Sequence, residues 1–355
     1  EESNAKLFPK GSLLIGMYDT AALKMSILDR DAAFNQAIAG VKPNSGIDLK
    51  FILYAINSRK PEILNQRRGV RQRNLSLTKI KNITVPFPPI AQQKQIVAIL
   101  DEAFEGIDSA IANTEKNLAN ARELFESYLN AIFTRKGDDW ERRKIEEVCD
   151  SIIDCINKTA PKIDEPSPFK MIRTTNIRNG HINLGSVKYV TEETYRKWTR
   201  RQVPQKGDVL LTREAPMGEV GMICTDDQVF LGQRIVSYRV DSSQLNNFFL
   251  LYALQSKDVQ NQIQSFASGS TVQHMRVPDT KELQISIPSP SVQEKVVRDL
   301  DYLLAQSQRL EAIYQQKLAA LNELKQSILQ KAFSGELTAE VGDAAVEGAE
   351  AMEAA

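Results

Sequence analysis

Histidine and cysteine are scarce in this 355-residue chain: two histidines, His181 and His274, and three cysteines, Cys149, Cys155 and Cys224. They follow no zinc-ligand spacing, and so few thiols in so long a chain make no disulfide framework, so neither a structural metal nor a cystine scaffold is expected. No stretch approaches the roughly 18 consecutive apolar residues of a membrane helix. The first residues, Glu-Glu-Ser-Asn-Ala-Lys-Leu-Phe-Pro, lack a hydrophobic signal core and an initiating Met, and read as a fragment boundary. A reducing cytoplasm is the expected compartment. Catalytic motifs are missing as well. No GxxxxGK[ST] loop for nucleotide phosphates occurs, and no Asn/Asp-Pro-Pro-aromatic run of the kind adenine methyltransferases need. Pro278-Asp279 supplies half of a nuclease signature, but no acid-x-Lys completes it, and neither histidine has a nucleophile at motif spacing. No catalytic residue, metal ligand or cofactor site is therefore expected in this chain.

What is present is an ordinary globular balance, 42% hydrophobic and 25% charged, which excludes wholesale disorder and at this length allows two or more domains. The net charge of zero hides an uneven distribution. Between Arg59 and Lys81 lie eight bases and one acid, Glu62, whereas Glu336 to Ala355 carries six acids and no base. The basic stretch can neutralise phosphates. The Ala-, Glu- and Gly-rich tail at 336–355 has no apolar period and is expected to be disordered.

An internal repeat at an offset of 200 residues organises the chain. Lys81-Asn-Ile-Thr-Val-Pro-Phe-Pro-Pro lies over Lys281-Glu-Leu-Gln-Ile-Ser-Ile-Pro-Ser. Gln93, Val97, Leu100 and Asp101 lie over Gln293, Val297, Leu300 and Asp301, and Glu123-Leu124, Ser127, Leu129 and Phe133 over Glu323-Leu324, Ser327, Leu329 and Phe333. With small shifts it reaches upstream: Lys10-Gly11 over Lys206-Gly207, Gln36 near Gln233, Tyr54-Ala55 near Tyr252-Ala253, and Gly69 over Gly269. The chain is thus two copies of a globular part followed by a long helix. Nothing in residues 1–9 corresponds to the stretch from Trp140 to about Lys197, so the first copy is expected to lack its beginning.

Prolines 86, 88 and 89 end one extended segment, and prolines 288 and 290 its counterpart; about 44 residues without proline follow each. Positions 96, 100, 103, 107, 111, 114, 118, 121, 125, 128 and 132 recur in steps of three and four, all apolar except Thr114. The second helix runs 296, 300, 303, 310, 314, 318, 321, 324, 328. Such steps predict a coiled-coil seam, and small residues matching large ones across the repeat, as Ala103 with Leu303 and Ala121 with Leu321, favour antiparallel pairing of the two helices.

Within 140–287, short β-type runs at 186–190, 208–212, 219–224, 228–231 and 234–240 are broken by turns, and 247–265 reads as one amphipathic helix. The spacing predicts an α+β domain with a mostly antiparallel sheet. Polar clusters fall between these strands: Arg173, Thr174, Thr175 and Asn176; Thr212 and Arg213; Gln233 and Arg234; Ser270, Thr271, Gln273 and His274. The first copy offers Gln36 and the loop Arg67, Arg68, Arg71, Gln72 and Arg73 at matching places. Arginine forks suit guanine, glutamine and asparagine suit adenine, and hydroxyls suit phosphate oxygens, so these residues are the candidate face for double-stranded DNA. The first loop is the more basic, so the two copies are not expected to read the same sequence. The competing readings are turn capping for Thr and Asn, a purely structural coiled-coil scaffold, and a stand-alone DNA nuclease.

The run Val-Pro-Phe-Pro-Pro-Ile-Ala-Gln-Gln-Lys-Gln-Ile-Val-Ala-Ile-Leu-Asp at 85–101, its second copy from Ile287, the Lys-Gly-Asp-Val-Leu-Leu-Thr-Arg run at 206–213, and the Gln-Ser-Ile-Leu-Gln-Lys-Ala-Phe-Ser-Gly-Glu-Leu run at 326–337 resemble type I restriction–modification specificity subunits from about Pro9 to Thr338. The resemblance implies two target-recognition domains, at 1–90 (partial) and 138–290, with spacer helices at 91–137 and 291–335. It further implies a non-catalytic reader of a bipartite DNA target, with the helix pair as the ruler between half-sites. The implied partners are two modification (methyltransferase) subunits and the restriction/translocase subunits, which carry S-adenosylmethionine, ATP and Mg; no membrane is involved.

Overall fold

The computed structural model describes residues 6–18, 23–65, 75–137, 139–266, 274–334 and 336. The acidic tail from 337 onward lies outside the described residues. The first globular part opens with β1 (Leu13–Gly16), β2 (Met25–Ile27) and β3 (Ile38–Val41), an antiparallel sheet of order β2-β1-β3. Helices α1 (Leu49–Ser58), α2 (Lys60–Asn65) and α3 (Leu77–Lys81) follow, and then the long α4 (Ile90–Arg135). The second part runs β4 (Glu141–Lys144), β5 (Cys149–Asp154), β6 (Lys170–Ile172), β7 (Ile177–Arg178), β8 (His181–Ile182), β9 (Lys188–Tyr189) and α5 (Glu192–Trp198). It continues through β10 (Val209–Arg213), β11 (Met217–Met222), β12 (Val229–Leu231), β13 (Ile235–Val240), α6 (Asn247–Gln255), α7 (Lys257–Phe266), α8 (Val277–Lys281) and β14 (Gln284–Ile287), and ends in the long α9 (Pro290–Ser334). Its main sheet, β11-β10-β13-β5, is antiparallel; a second, β12-β6-β9, pairs β12 with β6 in parallel. The α+β class predicted from the strand-type runs is the one observed.

The chain forms two compact units, 1–118 with 313–355, and 119–312. This partition cuts through the long helices instead of at their ends, because each globular part buries only its own stretch of each. In the first unit Ile96, Leu100, Phe104 and Ile107 of α4 share a core with Leu329 and Ala332 of α9 and with Phe51 and Ala55 of α1. In the second, Leu129 and Phe133 of α4 join Val296, Val297 and Leu300 of α9 under the sheet residues Val209, Leu211 and Tyr238. One ion pair ties the helices in each unit, Asp108 to Lys325 at 2.5 Å and Arg122 to Glu311 at 3.0 Å. Within the second unit Arg122 pairs with Glu311, while Leu129 and Phe133, later in α4, share a core with Val296 to Leu300, earlier in α9, so the two stretches there run antiparallel.

Two expectations are corrected. The seam positions Tyr128, Leu310 and Leu324 lie on the surface, while Leu129 and Phe133 are buried. The helices face a globular part as well as each other, so the apolar stripe departs from strict coiled-coil spacing. The single helix expected at 247–265 is two, because Ser256 adopts extended geometry (ψ 150°), turns its backbone N–H to the Ala253 and Tyr252 carbonyls, and donates its hydroxyl to Ala253 at 2.6 Å.

The repeat identities have a common structural cause. Asp48 caps α1, accepting from the backbone N–H of Lys50 and Phe51, and Asn246 caps α6, accepting from Phe248 and Phe249. The N–H of each cap residue donates to a buried glutamine of the following long helix, Asp48 to Gln93 Oε1 at 2.9 Å and Asn246 to Gln293 Oε1 at 2.8 Å. The same amides donate to the carbonyls of Pro88 and of Pro288 and Gln244. About two turns further along each long helix, the Tyr54 hydroxyl donates to Asp101 at 2.6 Å, and the Tyr252 hydroxyl donates to Asp301. Burial, and then the neighbouring carboxylate, push both phenols well above the usual tyrosine range.

The Lys-Gly-Asp run at 206–208 is a second device. Gly207 takes φ +95°, and a Cβ there would meet the Asn247 amide at 2.7 Å. Buried Asp208 then accepts both forks of Arg239 at 2.8 Å and the N–H of Gln205.

Gln293→Ala should destabilise the protein by about 2 kcal/mol or more, because it strands the Asn246 N–H and two carbonyls in a dry junction. Gln93→Ala should do likewise, each read as a lowered urea midpoint.

Candidate nucleic-acid interface

Four segments of the second unit meet beside one end of β10. The β10–β11 turn brings Glu214, Ala215 and Pro216; the loop between β12 and β13 brings Gln233 and Arg234; a short 3-10 turn carries Thr174–Asn176; and residues 274–276 lead into α8. Backbone bonds join them. Arg213 N–H donates to the Arg234 carbonyl at 2.8 Å, Met275 N–H to the Arg213 carbonyl at 2.9 Å, and the Thr174 hydroxyl to the Ala215 carbonyl at 3.0 Å. Gly232 lies against β6, its N–H on the Ile172 carbonyl at 2.7 Å, where a Cβ would come within 2.6 Å of that oxygen. A side chain at this position would push the segment leading to Gln233 and Arg234 away from β6.

The side chains divide into internal ties and outward groups. Asn176 is buried; it accepts from Arg173 N–H and donates to Asn183 O and Ser186 Oγ. Thr212 is 0% exposed, donating to Pro216 O at 2.6 Å and accepting from Glu219 N–H at 2.9 Å. Both, singled out in the sequence for DNA, serve instead as the turn ties weighed against that reading. Thr175 and Arg234 are exposed, and Gln233, Arg173, Thr174 and His274 are half-buried. Arg213 is only 5% exposed; its guanidinium donates to the Met275 carbonyl at 3.0 Å, and its Nε has no partner among the described residues. The Nε of Arg173 is likewise unpartnered among them. Gln36, in the first unit, is exposed in the turn before β3. Arg67, Arg68, Arg71, Gln72, Arg73, Ser270, Thr271 and Gln273 lie outside the described residues.

Two residues of this face escaped the sequence reading. Glu214 places Oε2 3.2 Å from Arg234 Nε and 3.3 Å from His274 Nδ1, ion-pair distances without the alignment of a hydrogen bond in either case. Arg178 donates to the Thr174 carbonyl at 2.7 Å. Attention to basic and amide side chains passes over an acid, although Glu214 follows Thr212-Arg213 directly. The segments of this face thus carry Arg173, Arg178, Arg213, Arg234 and His274, of which Arg234 and His274 lie against Glu214 and Arg178 lies 3.9 Å from Glu219.

Among the described residues no group of His, Cys, Asp and Glu is arranged for a metal ion, and no helix is long and apolar enough to cross a membrane. Cys149, Cys155 and Cys224 carry free thiols, and burial pushes that of Cys149 up to about 12.

Comparison with known proteins follows the same outline. The model of the type I restriction modification DNA specificity domain matches residues 1–120 and 137–320. The type I restriction enzyme EcoBI specificity subunit of Escherichia coli is 24% identical over 333 residues, 87% of this chain and 70% of its own length. The MjaVIII specificity subunit of Methanocaldococcus jannaschii is 23% identical over 274 residues, covering 71% of this chain and 62% of that protein. A solved chain, from work on complex assembly and conformational transition of the type I R-M system, superposes with a TM-score of 0.77 at 19% identity, covering 95% of this chain and 85% of that one. At that identity the superposition speaks to fold alone.

The division of side chains is open to test by stability. Thr212→Val should cost about 1–3 kcal/mol, since it leaves the Glu219 N–H and Pro216 carbonyl unpaired. Thr175→Val, at an exposed position, should stay within about 0.5 kcal/mol of the parent. Thermal or urea unfolding of the two variants separates tie from surface.

Proposed function

Because the chain belongs to the type I restriction–modification DNA specificity family, we propose that it selects the DNA sequence on which a type I complex acts, and that the face beside β10 is where its second domain meets duplex DNA. The supporting observation is Arg213, a nearly buried cation with no carboxylate partner among the described residues, whose backbone N–H donates to the Arg234 carbonyl. Burying an unpaired charge is costly unless a counter-charge arrives, and a duplex brings phosphates and the acceptor edges of bases. In this reading Thr175 meets phosphate oxygens, and Gln233 and Arg234 meet base edges. In the first domain Gln36 and the basic loop with Arg67, Arg68, Arg71, Gln72 and Arg73 take the corresponding part, on a different half-site.

In this reading the chain contributes recognition and no catalytic group. Methyl transfer from S-adenosylmethionine belongs to two modification subunits, and ATP- and Mg-dependent translocation and cleavage to the restriction subunits. The cytoplasm is where all of them meet DNA.

The test is binding of labelled duplexes over a range of salt, with and without the modification subunits. Arg173→Ala, and the pair Arg71→Ala and Arg73→Ala, should each weaken binding and flatten the log K against log salt slope by about 0.9 for every phosphate no longer neutralised. Where an arginine reads a base instead, the slope holds and discrimination at one position falls by about 1–3 kcal/mol. A chain that binds no duplex, alone or with its partners, overturns the reading.

A further inference from the structure

An acid is out of place on a face given to DNA, since it repels phosphates, and Glu214 is central to this one. Its side chain is 18% exposed, with Oε2 3.2 Å from the Arg234 Nε. The Arg234 side chain is 47% exposed, and an ion pair of that kind is by itself worth little; what sets this one apart is the backbone beneath it. Ala215, next to Glu214, has φ +54°, and Arg234 itself has φ +69°. Neither is glycine, and the left-handed region costs such residues on the order of 1 kcal/mol. The cost is borne because the backbone is held on every side: the Arg234 carbonyl by Arg213 N–H, the Arg234 N–H by Cys155 Sγ at 3.1 Å, and the Ala215 carbonyl by the Thr174 hydroxyl. The fold itself presents the carboxylate and the guanidinium to each other, with His274 beside the same carboxylate oxygen.

Non-specific binding grows with the number of cations free to meet phosphates, whereas sequence is read at base edges. A cation already held by a carboxylate is withdrawn from the first and remains available to a ligand offering better geometry. We propose that Glu214 is a specificity-determining residue: it holds Arg234 back from the phosphate backbone and yields it only to a base edge with paired acceptors, such as O6 and N7 of guanine. This rests on the DNA-recognition reading above.

The experiment uses the full chain assembled with its modification subunits, a random-sequence duplex, and a target selected by the parent protein from a randomised library. E214Q keeps the shape and removes the charge. It should raise affinity for the random duplex roughly threefold to tenfold and steepen the salt slope by about 0.9, the signature of one more phosphate neutralised. The gain should vanish in the double variant E214Q/R234Q. R234Q alone should weaken target binding far more than random-duplex binding. This second variant keeps the idea testable should E214Q fold poorly. If E214Q binds the random duplex no more tightly than the parent, or R234Q flattens the slope on both duplexes alike, Arg234 is not restrained and the proposal fails. Failure of the parent to bind any duplex would instead overturn the DNA reading itself.

Discussion

A buried glutamine near the start of each long helix carries the junction on which the rest of this architecture depends. Gln93 and Gln293 are 0% and 1% exposed, so their amides have no water to fall back on, and each satisfies the cap of a neighbouring helix and the carbonyl of a preceding proline. The cap residue is thereby bonded through both its side chain and its own backbone N–H. That arrangement fixes where α1 leaves α4 and where α6 leaves α9. The Tyr54–Asp101 and Tyr252–Asp301 bonds add a second point of attachment about two turns along the same helix. Two points on one helix set a direction, which a hydrophobic contact alone does not.

From that junction the chemistry follows outward. Docked on α9, α6 packs Phe249 and Leu250 against the central sheet, with Val209, Leu211 and Tyr238 in the same core. The sheet in turn carries β10, at whose end the polar face is assembled. The face is made almost entirely of turns, and it is rigid because their backbones bond to one another as well as to the strands. Such a layout separates the side chains that hold the turns from those that face outward. Side chains that point outward from the turns are free to differ, while those tied within them, Asn176 and Thr212 among them, are not.

The two copies illustrate the separation. The junction elements recur almost residue for residue, with Asp48 replaced by Asn246, which caps a helix equally well. The candidate contact loops differ far more. Arg67-Arg68-Gly69-Val70-Arg71-Gln72-Arg73 stands over Ala267-Ser268-Gly269-Ser270-Thr271-Val272-Gln273, four guanidinium groups against none. One scaffold is thus repeated with candidate contact segments of different chemistry.

The offset of 200 residues, the prolines before each helix and the long proline-free stretches are local or periodic features, and a sequence displays such features directly. They determine that there are two copies, each an α+β part with a long helix. The short-reach polar residues between strands could be picked out for the same reason. Whether any one of them faces outward depends on contacts between segments far apart in the chain. Thr212 is tied by Glu219 and Pro216 across a turn, Arg213 is covered by Met275, and Ser256 breaks a helix that periodicity joins into one. The role of Glu214 is equally invisible in one dimension, because Arg234 lies twenty residues away and His274 sixty. Periodicity and composition are properties of neighbours along the chain, but burial and pairing arise only when the chain closes on itself, so the sequence names the repeat and the tertiary structure chooses the face.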